Sequence, residues 1–358
     1  MLYSKLGNTG LIVSRLSLGT MTFTAGAGHA SIAKTDGATA RALVDRAIDA
    51  GINLFDTADV YSGGESETIL GEVLGARREE VVVATKAGWR SGDPLGRSGL
   101  SAGHLHWSID QSLTRLGTDH VDVYIAHRDD ANTPLEETLV ALDAIVRAGK
   151  ARYLGVSNWS AWKVAAALEF QRANGLAQFS HVQMMYSLVG RGIEQEVLPM
   201  ARRYGLGLTA WSPLAGGFLS GKYTRESLTD PVNRLSGFDM IPFDKEQGFA
   251  LVEQMRAIAA GHGASVAQVA LAWLLAKPAV SSIILGASRM DQLDDNLGAA
   301  DLALSDAEVA ALDQATDTPL PYPASITRTQ DDAVAKALAA VPRGSAAGGP
   351  EDHEKDGM

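Results

Sequence analysis

Asp56, Tyr61, Lys86 and His127 are residue types suited to moving a proton, and each stands where an apolar run stops. Asp56 breaks the run in "INLFDTADVY" and Tyr61 follows it, Lys86 ends "VVVATK", and His127 ends "VDVYIAH". A tyrosine titrates near ~10 and is a poor proton source at neutral pH. A neighbouring ammonium stabilises phenolate and is expected to lower that value. In such a set Asp56 holds Lys86, Lys86 acidifies Tyr61, and His127 donates a hydrogen bond to the oxygen receiving the proton. The group would protonate a carbonyl oxygen as a hydride reaches its carbon. No side chain supplies hydride, so this chemistry requires a nicotinamide cofactor. Taken singly, each residue has a plainer reading: Asp56 as a helix cap, Lys86 as a solvated or ion-paired lysine, His127 as a core histidine, Tyr61 as a loop aromatic. Taken together, a charged Asp and Lys at a packed strand end must pair or be desolvated at heavy cost.

The elements that would position these residues are legible in the patterning. "YSKLGNTGLIVSRLSLGT" reads as a hairpin around Gly-Asn-Thr-Gly. Eight apolar runs begin near residues 16, 52, 81, 121, 153, 181, 206 and 281, with helical periodicity between most neighbours. Strand–helix alternation implies parallel strands, and runs apolar on both faces imply a sheet covered on both sides. Eight units favour an α/β fold of the (β/α)8 TIM-barrel type, with the hairpin before it and an extra helix at "DAEVAALDQA" after it. "TAGAGHAS" (24–31) lacks the third glycine and the helix of a dinucleotide fingerprint, so it reads as a loop. The seventh connection is long, from Leu214 to about Asp244, followed by two helices. In a barrel the site lies at the C-terminal strand ends, and consecutive strands stand roughly 5 Å apart, which brings Asp56, Lys86 and His127 together. The expected division is a single barrel domain over 1–318, a segment over 319–340 that comes near the substrate pocket, and a polar, Gly-rich, disordered tail over 341–358.

Composition narrows the class. The chain has 358 residues, 46% of them hydrophobic, enough for a large core. A formal net charge of −11 argues against a nucleic-acid surface. The absence of cysteine removes disulfides, thiolate metal sites and thiol nucleophiles. No apolar run reaches membrane-spanning length and none opens the chain, so a soluble cytoplasmic protein without membrane or nucleic-acid partners is expected. "HLH" (104–106) is not a metal motif, because residues two apart on a helix diverge. "GGFLSGKY" (216–223) nearly matches a P-loop, but Tyr223 stands where a Ser or Thr would hold magnesium.

These residues resemble the Asp, Tyr, Lys, His tetrad of the aldo-keto reductases. The resemblance runs in order over roughly residues 3 to 318, through "FDTADVYSGGESETILGEVL", "VVVATK", "SLTRLGTDHVDVYIAHRDD", "GKARYLGVSNWS", "WSPLAGGFLSGKY" and "ILGASRMDQLDDNL". It is closest to the bacterial branch that also contains the potassium-channel β subunits. The resemblance implies NADPH/NADP+ extended across the barrel mouth. Ser157, Asn158 and Gln183 would hold the carboxamide, Trp211 would stack on the ring, and Thr20 and Asp56 would lie beside it. Ser212, Pro213, Leu214, Gly216, Lys222 and Arg234 would follow the pyrophosphate. Gly286, Ser288, Arg289, Gln292, Asp295 and Asn296 would take the adenosine end, with the 2′-phosphate on Ser288 and Arg289. Trp211 alone reads equally as core packing, and Ser288 as an ordinary N-cap. Asp295 could instead hold a ribose hydroxyl and favour NADH.

The resulting expectation is an NADP(H)-dependent interconversion of an aldehyde or ketone with its alcohol. Two competitors remain: a cofactor-binding regulatory subunit with weak turnover, and a cofactor-free isomerase or aldolase using Lys86. The last leaves the carboxamide residues without a role. Phe23, Tyr61, Trp89 and His127 are the candidate substrate contacts, with the loops "TFTAGAGHASIAKTDG" and "SGDPLGRSG" and the region near Tyr322 as walls. An apolar or ring-bearing substrate is expected. Oligomeric state is open at this stage.

Overall fold

The computed structural model describes residues 1–29, 31–230, 234–237, 239, 241–327 and 332–339. It divides into two compact units, Met1–Asp317 and Thr318–Met358.

In the first unit Tyr3–Lys5 (β1) and Ile12–Ser14 (β2) pair antiparallel. Eight parallel strands close into a barrel: Leu16–Gly19 (β3), Leu54–Asp56 (β4), Val82–Ala87 (β5), Val121–Ala126 (β6), Ala151–Ser157 (β7), Phe179–Met185 (β8), Gly207–Trp211 (β9) and Val280–Gly286 (β10). All eight lie within or beside the expected apolar runs. Around them run Gly37–Asp49 (α1), Glu65–Leu74 (α2), Ala102–Leu116 (α3), Leu135–Arg147 (α4), Ala161–Ala173 (α5), Val197–Tyr204 (α6), Arg234–Gly237 (α7), Lys245–His262 (α8), Val266–Leu275 (α9), Met290–Leu297 (α10) and Asp306–Ala315 (α11). Residues 24–29 are loop. Helices α8 and α9 are the two expected after the long seventh connection, and α11 is the extra helix. The second unit contains Ala324–Thr327 (α12) and Asp332–Ala339 (α13). The stretch 341–358, expected to be disordered, lies outside the described residues.

Local chemistry explains the boundaries. Asp36, Ser101 and Asp244 each cap a helix through the side chain, and Ser265–Gln268 and Ser305–Glu308 form reciprocal capping boxes. Helices α3, α6 and α8 stop at Gly117, Gly205 and Gly263 in the left-handed conformation.

Strand side chains alternate between two cores. Phe55, Val83, Tyr124 and Ala126 pack outward under the helices. Leu54, Val82, Ala84, Val123 and Ile125 point inward and meet Leu6 and Val13 of the hairpin segment, which thus fills one end of the barrel. Continuing the inward alternation puts Asp56, Lys86 and His127 at the other end. The parity of the strands selects these polar residues for the interior. Packing inside the barrel is close at Gly155, where a Cβ atom would stand 2.2 Å from Cε1 of His181 on the neighbouring strand.

Candidate active site

Lys86 is fully buried and binds three groups. Its Nζ donates to Oδ1 of Asp56 at 2.5 Å, to the Thr57 carbonyl at 2.7 Å and to Oη of Tyr61 at 3.1 Å. Asp56 is itself 4% exposed, and its Oδ2 accepts from Nε2 of Gln183 at 2.8 Å. The plainer reading of Asp56 therefore fails. The next helix, α2, is capped at Gly64 without any side-chain bond. His127 meets Tyr61 edge-on with ring centroids 5.9 Å apart, and Trp89 at 6.2 Å. The Arg128 guanidinium lies 4.2 Å over the Trp89 ring.

The electrostatics correct one expectation. Burial drives the Tyr61 pKa up, Lys86 draws it down, Asp56 raises it again, and the net shift is upward. Desolvation outweighs the ammonium. Lys86 shows the opposite balance: burial disfavours its charge, but Asp56 and then Tyr61 more than compensate, so its pKa is raised. His127 is pushed well below its usual value by burial, Lys86 and Arg128, and stands as neutral imidazole. His181, deeper in the barrel, is lowered to about 3 by burial and then by Lys86.

Above these groups lies a cavity of about 510 Å³. Of the anticipated residues it is lined by Asp56, Tyr61, Trp89, His127, Ser157, Asn158, Gln183, Trp211, Ser212, Pro213, Gly216, Arg234 and Gly286. The Asn158 amide donates to the His127 carbonyl at 3.1 Å and to Oγ of Ser157 at 2.9 Å, while its oxygen accepts from Nε1 of Trp211 at 3.2 Å. A second cavity of about 380 Å³ shares Ser212, Pro213, Gly216 and Gly286 with the first and adds Leu214, Lys222, Arg289, Gln292, Asp295 and Asn296. Three of the four non-glycine residues with positive φ among the described residues, Ser62, Asn158 and Ser212, line the first cavity. The fourth, Ala215, separates Leu214 from Gly216. Such strain concentrates where a loop must present its groups to a ligand.

Not every anticipated residue reaches the site. Phe23 is fully buried and its loop presents Met21, Thr22, His29, Ile32 and Ala33 instead. Thr20 is also buried, spending its amide and hydroxyl on the Asp56 carbonyl and its hydroxyl on Ser66. No residue of the "SGDPLGRSG" loop lines either cavity. Arg289, not Ser288, is the N-cap residue of α10. Ser288 gives its N–H and hydroxyl to Oε1 of Gln292. Both oxygens of Asp295 are held from α9 and its cap, by Ser265 at 2.9 Å and Gln268 at 3.0 Å. The sequence reading overlooked Asp291, which grips the Arg289 guanidinium at 2.9 and 2.8 Å. It also passed over Val60, Leu235, Ile241, Ile284 and Leu285, the apolar cavity walls. An ion pair two residues apart was a signal available in "SRMD"; the apolar walls had none.

An anionic dinucleotide fits these residues. Lys222 lies within the field of Arg234, Arg289 and Lys34, which with partial burial lower its pKa. Arg234 is largely desolvated, its Nε has no hydrogen-bond partner, and among the described residues no carboxylate pairs with it or with Lys222. Unbalanced cations beside a cavity, in a chain of net charge −11, call for an anion. Among the described residues no cluster of His, Asp and Glu is placed to hold a metal ion. No single helix there is long and apolar enough to cross a membrane.

Comparison with known proteins agrees with this geometry. The aldo/keto reductase family model matches residues 15–317. A probable voltage-gated potassium channel subunit beta of Oryza sativa is 39% identical over 314 residues, covering 84% of this chain and 92% of the relative. An oxidoreductase of Bacillus subtilis, YrpG, is 39% identical over 316 residues, covering 84% and 92%. A versiconal hemiacetal acetate reductase of Aspergillus parasiticus is 32% identical over 334 residues, covering 87% and 96%. The closed parallel barrel, the polar strand ends and a match over most of its length together make this chain a member of the aldo/keto reductase family, an oxidoreductase whose relatives include channel β subunits.

Proposed function

We propose that the protein interconverts an aldehyde or ketone and its alcohol with NADPH/NADP+, Tyr61 serving as general acid in reduction and general base in oxidation. The observation that carries this reading is Lys86 Nζ, fixed between Asp56 at 2.5 Å and the Tyr61 hydroxyl at 3.1 Å, under a cavity with apolar walls. Nicotinamide, when bound, supplies or accepts the hydride. Ser157, Asn158, Gln183 and Trp211 would hold its ring, Ser212 to Gly216 with Lys222 and Arg234 the pyrophosphate, and Ser288, Arg289, Gln292 and Asn296 the adenosine end.

Tyr61 is protonated at neutral pH, and burial holds its proton more firmly still by raising the pKa. It is thus always loaded as a donor, and Lys86 acts as the proton leaves, stabilising the phenolate that forms beside it. Neutral His127 has an imidazole N–H to offer the same substrate oxygen. Trp89, Val60, Ile32, Leu235 and Ile241 would favour an apolar or ring-bearing carbonyl over a short hydrophilic one.

Preference for NADPH rests on the cations around the second cavity, with Arg289 having to leave Asp291 for the 2′-phosphate. Asp295 is oriented toward α9 by bonds to both its oxygens, which weighs against it as a hold on a ribose hydroxyl. A cofactor-binding regulatory subunit is the second reading, favoured by the identity to channel β subunits. Steady-state NADPH oxidation with a panel of aldehydes and ketones decides between them through the number of turnovers. Tyr61→Phe should bind NADPH normally by fluorescence titration and lose about 10²–10⁴-fold in turnover. Near-normal turnover in that variant would sink the assignment.

A further inference from the structure

Between Asp56 and Tyr61 stands a third acidic or phenolic group, Asp59, to which the proposed chemistry gives no part. It is 5% exposed. Its Oδ2 accepts from Oγ of Ser108 on α3 at 2.6 Å, while Oδ1 has no partner. The contrast with Asp56 is chemical. An ionised carboxylate wants several donors or a cation, and Asp56 has Lys86 and Gln183. Asp59 has one hydroxyl, and the nearby arginine, Arg115, is spent on Glu67 at 2.7 Å.

The backbone around it is stitched to Lys86. The Asp59 N–H donates to the Lys86 carbonyl at 3.1 Å, and the Thr57 carbonyl accepts from Lys86 Nζ at 2.7 Å. The Tyr61 N–H closes the turn on Ala58 at 3.1 Å. We propose that Asp59 is a positioning residue for the Tyr61–Lys86 pair: it moors the Tyr61-bearing turn to Ser108 as a neutral acid, and its ionisation makes Tyr61 a weaker proton donor.

The charged and titratable groups facing Asp59 are Lys86 on β5, Glu67 on α2, Arg115 on α3, and the phenols of Tyr61 and of Tyr124 on β6, while Asp56 on β4 acts on the same Tyr61. Burial, opposed by Ser108 and reinforced by Glu67, lifts the Asp59 carboxyl to about 7, with Arg115 and Lys86 acting downward. Neighbouring titrations fall elsewhere, since His127 lies well below its usual value and Lys86 and Tyr61 above theirs. An ionised Asp59 adds to the negative charge that opposes phenolate formation.

This inference rests on Tyr61 being the proton donor, and the test separates the two. The rate of carbonyl reduction, as kcat/KM, is followed from pH 5.5 to 9.5. Wild type should fall about threefold through a break near pH 7. Asp59→Asn, which keeps an acceptor for Ser108 but has no charge, should lose the break and keep more turnover than Asp59→Ala. Ser108→Ala removes a bond that favours the carboxylate, so the break should move to higher pH. Infrared spectra should show a protonated carboxyl at pH 6 that is absent from Asp59→Asn. A break unmoved in Asp59→Asn overturns the inference, and should that variant fail to fold, a break unmoved in Ser108→Ala does the same. If Tyr61→Phe is inactive while the break stays put, only the role of Asp59 falls; if Tyr61→Phe is active, both readings fall.

Discussion

The strand-end quartet and the cation cluster around the second cavity balance their charges in opposite ways. At the quartet the charge is settled internally: Lys86 is fully buried and satisfied by Asp56, Thr57 and Tyr61. At the cation cluster, Lys222 on the second cavity and Arg234 on the adjoining first have no carboxylate among the described residues, and Arg289 holds a solvent-exposed one, with the two side chains 62% and 69% exposed. A buried pair is rigid and expensive to break, whereas an exposed pair contributes only about 0–1 kcal/mol and can exchange partners. The difference teaches which residues are built to stay put during a turnover and which to let a ligand come and go.

The harshest way to break the comparison is Lys86→Met. It should strand the Asp56 charge in the barrel, cost about 3–5 kcal/mol of stability, and remove the stabilisation of phenolate. Chemical denaturation and steady-state rates would show both losses at once. A stable, active variant would mean that the quartet is not a unit. Asp56→Asn should be milder in stability yet lose about ten- to a hundredfold in turnover through misplacement of Lys86. Its sign in pH is definite. Asp56 is what keeps the Lys86 pKa up against burial, so without it the ammonium is lost at lower pH and activity falls earlier as pH rises. A pH–rate profile with its alkaline limb unmoved would contradict this.

At the other pole, Arg289→Ala should weaken NADPH about tenfold and leave NADH nearly unchanged, since charge-assisted bonds contribute roughly 1.5–3 kcal/mol each and Asp291 already claims part of that. Dissociation constants measured at fixed ionic strength would show it. Equal losses for both cofactors would remove the basis for NADPH preference. The smallest effect is the sharpest: Asp291→Ala should free Arg289 and tighten NADPH by up to about fivefold. A weakened NADPH complex would show instead that Asp291 orients the guanidinium for the phosphate.

Much of the architecture was legible because it follows from parity and alternation. Apolar runs flanked by helical periods have few homes besides a closed parallel barrel, and a polar residue ending such a run falls inside or outside by counting from its neighbours. Asp56, Lys86 and His127 were readable for that reason. What lay in loops was not. Phe23 and Met21 are both apolar and two residues apart, and only the fold of the loop around them decides that Phe23 turns inward and Met21 lines the cavity. The pKa of Tyr61 escaped for a different reason. Sequence shows the ammonium that lowers it, while burial, which raises it more, exists only in three dimensions. The plainer reading of Ser288 as a cap came from its type, yet Arg289 holds that position and Ser288 is bonded to Gln292. Asp59 sat in plain view between two residues already singled out, and what distinguishes it is the donors it lacks.

The complete burial of Lys86 also decides how the protein meets reagents. An acylating or aldehyde reagent attacks the free amine at an accessible surface, and Lys86 offers neither surface nor a lone pair while Asp56 and Tyr61 hold its proton. Lys222 and Lys34, exposed on the loops around the cavities, are within reach. Inactivation by an amine reagent would therefore report on the loops, and protection by NADPH would follow from covering them. The lysine at the centre of the chemistry would be among the last to be labelled.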